Sequence, residues 1–282
     1  MIATEKGQLY LSRLRLNPVS REVMRSLSNS QCMHALLMRG FPVGDRSEHN
    51  VLFRLDPVKG SREGLIDVIV QSTVEPDWAY LRREGMLLHE SEFFGDGLVK
   101  NISSLPDRLQ NGDVFRFRLR ANPTKRIPWN VWASTFPKEA SDKLARRERS
   151  SGVADPARMD GPRVPVTDLS LEKRQWVQAG NDLDEFRHPF SAEDLLFQWL
   201  EKQGQRCGFD IARPGVSPDP ITGDMQTGWK SGDIQLSHKA MVFEGLLRVS
   251  DVEAFREALV HGIGPAKAYG FGLLSLAPAG GA

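Results

Sequence analysis

Residues Val114 to Leu119 read Val-Phe-Arg-Phe-Arg-Leu, and the alternation continues into Arg120. A period of two, with Phe115, Phe117 and Leu119 set against Arg116, Arg118 and Arg120, is the pattern of a strand with one face in a core and a wet, cationic face opposite. Asn111-Gly112-Asp113 supplies a turn before it and Asn122-Pro123 closes it. A sheet is therefore required, and its partners can be sought in the flanking sequence. Leu9 to Leu16 alternates in the same way, Ser20 opens a helical run over 21–27, and a second helix follows, with Ser28 and Gln31 at capping-box spacing and Gly40 as its stop. Val51 to Leu55 and Leu65 to Val74 read as further strands. The order strand, helix, strand, strand, helix, strand predicts an α+β, ferredoxin-like unit with helices on one face of an antiparallel sheet.

At 282 residues the chain is long enough for two such units. The stretch 137–165 is rich in Lys, Arg, Glu, Ser and Asp and poor in large apolar residues, so it reads as a polar linker. The predicted domains are an N-terminal ferredoxin-like domain over 1–136, the linker over 137–165 and a C-terminal ferredoxin-like domain over 166–282. The second carries a helix over 191–203, a hairpin turning at Lys230-Ser231-Gly232-Asp233, a capped helix over 251–260 and a last strand over 272–276; its first strand is placed near Val164 to Val166. Cys32 and Cys207 are the two cysteines, which fits a reducing compartment and indicates neither a disulfide framework nor a zinc site. No secretory signal or bilayer-length apolar run is legible, so a cytoplasmic protein without membrane contact is expected.

The stretch Gly262-Ile263-Gly264-Pro265-Ala266-Lys267-Ala268-Tyr269-Gly270-Phe271-Gly272 is the most informative in the chain. Gly262, Gly264, Gly270 and Gly272 let a backbone approach a phosphodiester closely, although glycines serve plain connections as readily. A dinucleotide fingerprint is excluded by element order, because this stretch follows a helix and precedes a strand. Arg116, Arg118, Arg120, Lys125 and Arg126 put five cations on one strand and the loop after it, either an ordinary solvated face or a stripe that meets consecutive phosphates. Trp229 and Lys230 at a hairpin tip, with His238 and Lys239 on the returning strand, form a second cationic element able to probe a groove. His34 falls within about the first turn of its short helix, where the helix dipole favours a neutral imidazole and attracts phosphate; the competing reading is a packed histidine. The other histidines, at 49, 89, 188 and 261, read as surface residues.

Taken together, Leu9-Tyr10-Leu11-Ser12-Arg13-Leu14, Met33-His34, Arg116 through Pro123, Phe243-Glu244-Gly245 and Gly262 through Ser275 resemble the CRISPR-associated endoribonucleases of the CasE branch, over most of the chain. The resemblance implies two tandem ferredoxin-like domains that bind a CRISPR repeat hairpin and cut precursor crRNA at the 3′ base of the stem. Cleavage would need no metal or cofactor, and the protein would stay on the mature crRNA alongside other Cascade subunits. His34 falls at the family's catalytic histidine, with Lys267 or nearby amides to stabilise the phosphorane. Gln31 stands where a tyrosine commonly precedes that histidine, and a glutamine hydrogen-bonds but does not transfer a proton. The chain is also longer between Pro123 and Gly204 than the family pattern. A non-cleaving RNA-binding scaffold is the alternative.

Overall fold

In the computed structural model, which describes residues 7–44, 48–58, 65–88, 98–152, 155–212, 214–230 and 234–279, the chain begins with β1 (Tyr10–Arg15), whose alternate side chains are buried. Two helices follow, α1 (Arg21–Ser28) and α2 (Ser30–Met38). The Ser20 side chain accepts from the Val23 N–H, and the Asn29 side chain accepts from the Gln31 N–H. Asn29 rather than Ser28 therefore starts the second helix. β2 (Leu52–Pro57), β3 (Ile66–Ser72), α3 (Ala79–Arg83), β4 (Val99–Asn101) and α4 (Leu105–Arg108) complete the first repeat. Its antiparallel sheet runs β2-β3-β1-β4, the ferredoxin-like order. Met33, Leu36 and Leu37 of α2 pack with Leu14, Val68, Val70 and Trp78 in the core beneath it.

The second repeat starts earlier than the sequence pattern implied. β5 (Val114–Ala121), the arginine strand, pairs with β12 (Met241–Val249) on one side and β13 (Leu274–Pro278) on the other. It is thus the first strand of the second sheet and not the last of the first, which moves the expected boundary at 136 back to the turn before Val114. Between β5 and its partners come β6 (Thr124–Arg126), α5 (Trp129–Thr135), α6 (Pro137–Ser151), β7 (Arg163–Pro165), α7 (Ser170–Gln178) and α8 (Ala192–Cys207). Then follow β8 (Phe209–Ile211), β9 (Gly215–Pro218), β10 (Met225–Lys230), β11 (Ile234–Lys239), β12, α9 (Val252–His261) and β13. The second sheet runs β13-β5-β12-β8, with β9 also on β12, so both repeats share one topology and the fold is two tandem ferredoxin-like domains of α+β class.

Two compact units result: residues 1–122 with 200–282, which hold both sheets, and residues 123–199. The expected linker over 137–165 carries a fifteen-residue helix, α6, stopped by Gly152 at φ +71°. It escaped the pattern because Ala140 is its one described buried side chain, so no apolar stripe marks it. Val164 belongs to β7, which pairs with β6 rather than with the second sheet. The hairpin tip at 231–233 lies outside the described residues, as does His89. Among the described residues no helix is long and apolar enough to cross a membrane.

Candidate active site

The glycine-rich stretch is a closed loop between α9 and β13. The Ile263 N–H donates to the Gly272 carbonyl at 2.9 Å, joining the two ends of the loop, and the Gly272 N–H donates to the Arg120 carbonyl at 2.8 Å, fixing that end to β5. Gly270 (φ +81°) and Gly272 (φ +90°) occupy backbone conformations that side chains rarely adopt. A Cβ on Gly270 would stand 2.8 Å from the Phe53 ring, and one on Gly272 would stand 2.8 Å from the Ile263 carbonyl oxygen. Both glycines are buried, so their close approach is to the protein itself and not to a phosphodiester. Gly262, at φ +77°, is likewise hemmed in by Leu52, whereas Gly264 is half-exposed on the outer turn. The glycines shape the loop; what the loop presents is its crown, the helical turn Lys267–Tyr269.

That crown packs against α2 and β2, and α2 also packs against β10. Helix α2 carries His34, half-exposed, as its fifth residue, with Gln31 one turn earlier on the same side. Because Asn29 sets the helix start, His34 lies in the second turn, beyond the free N–H groups that the dipole argument relied on. The arrangement nevertheless joins His34 and Lys267, more than two hundred residues apart, in one neighbourhood. The Lys267 stem lies beside Gly272, and its charge reaches Cys207 at the end of α8, where burial pushes the thiol up and Arg206 and Lys267 oppose it.

The three strand arginines share a face but not a fate. Arg116 is exposed. Arg118 is a quarter exposed and shared between Asp56 at 3.6 Å and Glu244 at 3.3 Å. Arg120 is 1% exposed: its guanidinium donates to Asp219 at 2.9 Å, to the Gln226 side chain at 2.5 Å and to the Gly270 carbonyl at 2.9 Å, and it lies 4.3 Å over the Phe271 ring. Arg120 therefore meets no phosphate. The sheet face expected to lie open is closed at this end by Phe53 and the glycine loop, and further along Arg54 of β2 donates to the Arg118 carbonyl and the Ser275 hydroxyl. Arg120 instead ties the loop to β10, since Gln226 also donates to the Tyr269 carbonyl.

Of the remaining expected cations, Lys239 is bonded to Asp224 at 2.8 Å, which itself lies at the entry to β10. Trp229 and Lys230 pair in register with Gln235 and Ile234 on the hairpin. Lys125 and Arg126 belong to the compact unit 123–199, where they pair with Glu172 and Asp160. His238, read as part of a cationic element, is half-buried, with its ring 4.8 Å from Tyr269 and 5.8 Å from Phe271. Burial first, and then the Arg120 charge, hold its pKa below the ordinary 6.5, so it is a neutral packing group. The sign follows directly: stability is complete above about pH 6.5, where folded and unfolded chains are both neutral, and is lost as pH falls and the unfolded histidine alone takes up a proton. Urea midpoints taken from pH 8 to pH 5 should fall for the native chain and fall less for His238→Phe. His49 also departs from its surface reading: it is 8% exposed, stacked on Phe41, with Nε2 3.1 Å from the Pro42 carbonyl oxygen.

Asp219, Gln226 and Tyr269 are the participants that sequence reasoning missed. Their link to Arg120 spans from 99 to 149 positions, and nothing local to any of them signals it.

Two ferredoxin-like repeats, with a histidine-bearing helix of the first set against a lysine-bearing glycine loop of the second, define the class of fold and the frame of the candidate site. Residues 9–278 match the CRISPR associated protein family, and the chain belongs to it. It is 28% identical over 273 residues to the CRISPR-associated endoribonuclease Cse3 of Thermus thermophilus, covering 96% of this chain and 100% of that protein. Over 110 residues it is 33% identical to the Cascade subunit CasE of Escherichia coli, covering 38% of this chain and 51% of that one. The solved structure of Thermus thermophilus Cse3 bound to an RNA representing a pre-cleavage complex superposes with a TM-score of 0.59 at 28% identity, over 96% of this chain and 100% of that chain.

Proposed function

We propose that this chain is a metal-independent endoribonuclease that binds CRISPR repeat hairpins and cleaves precursor crRNA at the 3′ base of the stem. The observation that carries the reading is the packing of α2, with His34, against the Lys267–Tyr269 crown of the glycine loop. Similarity to the RNA-bound Cse3 along nearly the whole chain supports it. His34 takes the proton from the 2′-hydroxyl, whose oxygen attacks the adjacent phosphorus. The P–O5′ bond breaks, leaving a 2′,3′-cyclic phosphate on one product and a 5′-hydroxyl, once protonated, on the other. Lys267 and loop amides stabilise the phosphorane charge. Gln31, with no proton to exchange, orients a neighbour by hydrogen bonding. The product remains bound, and the protein acts in the cytoplasm as a Cascade subunit.

Labelled repeat hairpin incubated with the protein in EDTA tests this: shortening of the RNA supports the reading, and a gel shift with the RNA intact favours the non-cleaving scaffold, to which Gln31 lends weight. A hairpin with a deoxynucleotide at the cut position should bind and stay whole.

The burial pattern supports Arg116, the exposed arginine of β5, as the one that meets RNA. Each phosphate contact adds about 0.7–0.9 to the slope of log affinity against log salt. Arg116→Ala should reduce the slope by about that amount, Arg118→Ala by less because two carboxylates already hold its charge, and Arg120 should contribute nothing. Equal effects at 116 and 120, measured by fluorescence anisotropy across a salt series, would contradict this assignment.

A further inference from the structure

The outer side of the α1–α2 pair carries a cavity of about 590 Å³, within the range of small-molecule sites. From α2 it is lined by Cys32, Ala35 and Leu36, with Arg39 at the end of the helix. Those positions recur at three- and four-residue spacing and share one side of α2, whereas His34 stands about 200° around the helix from Cys32. The cavity is therefore not the cleavage site. From α1 it is lined by Arg21, Glu22, Arg25 and Ser26. Arg21 and Arg25 are exposed and one helical turn apart, a spacing at which like charges work against the helix. Among the described residues neither has a carboxylate within ion-pair range. Helix α2 contains no acid, and Glu22, the one acid of α1, is held by Arg39 at 3.1 Å; Arg39 also pairs with Glu84. Three guanidiniums against two carboxylates leave one positive charge in excess, and it resides at Arg21 and Arg25. Ser26 is 3% exposed, and among the described residues its hydroxyl has no hydrogen-bond partner.

A buried serine whose hydroxyl is left to a cavity offers a hydrogen-bond donor, and arginines without acids offer charge-assisted ones. We propose that this cavity binds a phosphate group, borne either by a free nucleotide or by a nucleotide of an RNA strand. A phosphate has enough oxygens to serve both guanidiniums and the Ser26 hydroxyl with a separate oxygen each, which a carboxylate does not. Cys32, Ala35 and Leu36 give the attached sugar and base an apolar floor. Arg39, tied to its two glutamates and lying 4.5 Å over the Tyr80 ring, is a fixed wall of the cavity rather than a ligand to the phosphate. The site lies within the first repeat and uses neither His34 nor the glycine loop, so it stands whether or not the chain cleaves hairpins.

The experiment uses the full chain and compares the alkylation rate of Cys32, which lines the cavity, with that of Cys207, which does not. Adenosine 5′-monophosphate and an unstructured uridine hexanucleotide are added separately at up to about 1 mM, the weak end of specific binding, and peptide mapping follows each cysteine. At least one probe should slow alkylation of Cys32 by about fivefold or more, as a Kd below that concentration requires, and leave Cys207 unchanged. Protection by the mononucleotide alone assigns the site to free nucleotides, and protection by the hexanucleotide assigns it to an RNA strand. Adenosine, which has no phosphate, should not protect. Arg21→Gln combined with Arg25→Gln changes two exposed side chains, so the chain should fold and the protection should vanish. Ser26→Ala should weaken protection without abolishing it. Calorimetric titration of the same probes into the parent and both variants repeats the comparison and decides the matter if Cys32 does not react. No binding of either probe, equal protection by adenosine, undiminished protection in the double glutamine variant, or stronger protection by polyglutamate than by either probe would each overturn the proposal, the last by assigning the cavity to an acidic protein segment.

Discussion

Replacing His34 with alanine is expected to slow cleavage of a repeat hairpin by about a hundredfold to ten-thousandfold, the usual contribution of a positioned general base, while leaving hairpin affinity unchanged. The separation of the two effects follows from the structure. His34 is half-exposed on the outer side of α2, and the core side of that helix is held by Met33, Leu36 and Leu37, so truncation neither opens a cavity nor removes a phosphate-binding cation. Single-turnover cleavage in EDTA, alongside a binding curve on a non-cleavable hairpin, measures both quantities. Native-like cleavage by the variant would show that another group moves the proton. Gln31→Tyr, which restores a phenol one turn before His34, should not slow the reaction, and any acceleration would measure what the glutamine has forgone.

A second large effect is expected at Arg120, on stability rather than on chemistry. Removing one member of a fully buried ion pair strands the other charge, which typically costs about 3–5 kcal/mol. Arg120 and Asp219 have side chains 1% and 0% exposed, so Arg120→Ala should produce a loss of that size in urea unfolding, and Asp219→Ala a similar one. Arg120 Nε and Asp219 Oδ1 have no hydrogen-bond partner, so the pair is not ideally satisfied. Consequently the double change Arg120→Met with Asp219→Leu should recover much of the loss, as apolar replacements of buried pairs often do. Loop function should not recover with it. The arginine also holds the Gly270 carbonyl and, through Gln226, the Tyr269 carbonyl, so the crown beside His34 would be loosened and hairpin cleavage should stay slow in a chain that is nonetheless folded. A double variant as active as the native chain would show that the loop holds itself.

The sequence was most readable where one side chain reports on its own surroundings. The alternation of β5 identified a strand, and both ferredoxin-like repeats could be inferred from the succession of periods. His34 and the glycine stretch were found by pattern, and the fold brings their elements together. Reading failed where the answer lies in a distant partner. A strand face is wet or dry according to what lies over it, and nothing in Arg116, Arg118 and Arg120 themselves reveals that Phe53 and the loop at Gly270 cover the last of the three. Likewise the order of strands in space does not follow from their order in the chain: periodicity alone places β5 at the end of the first repeat, whereas its pairing with β12 puts it in the second. Polar α6 was missed for a different reason: a helix that buries almost nothing has no apolar period to read.

The pairing of Ala121 with Met241 at one end of the β5–β12 register sets the order in which the chain can fold as it is made. The first sheet draws only on residues up to Asn101 and can form early in synthesis, whereas β5 must wait for a partner translated long afterwards. A compact unit at 123–199, closing on itself through β6 and β7, shortens the slack that this delayed strand must search across when its partner finally emerges.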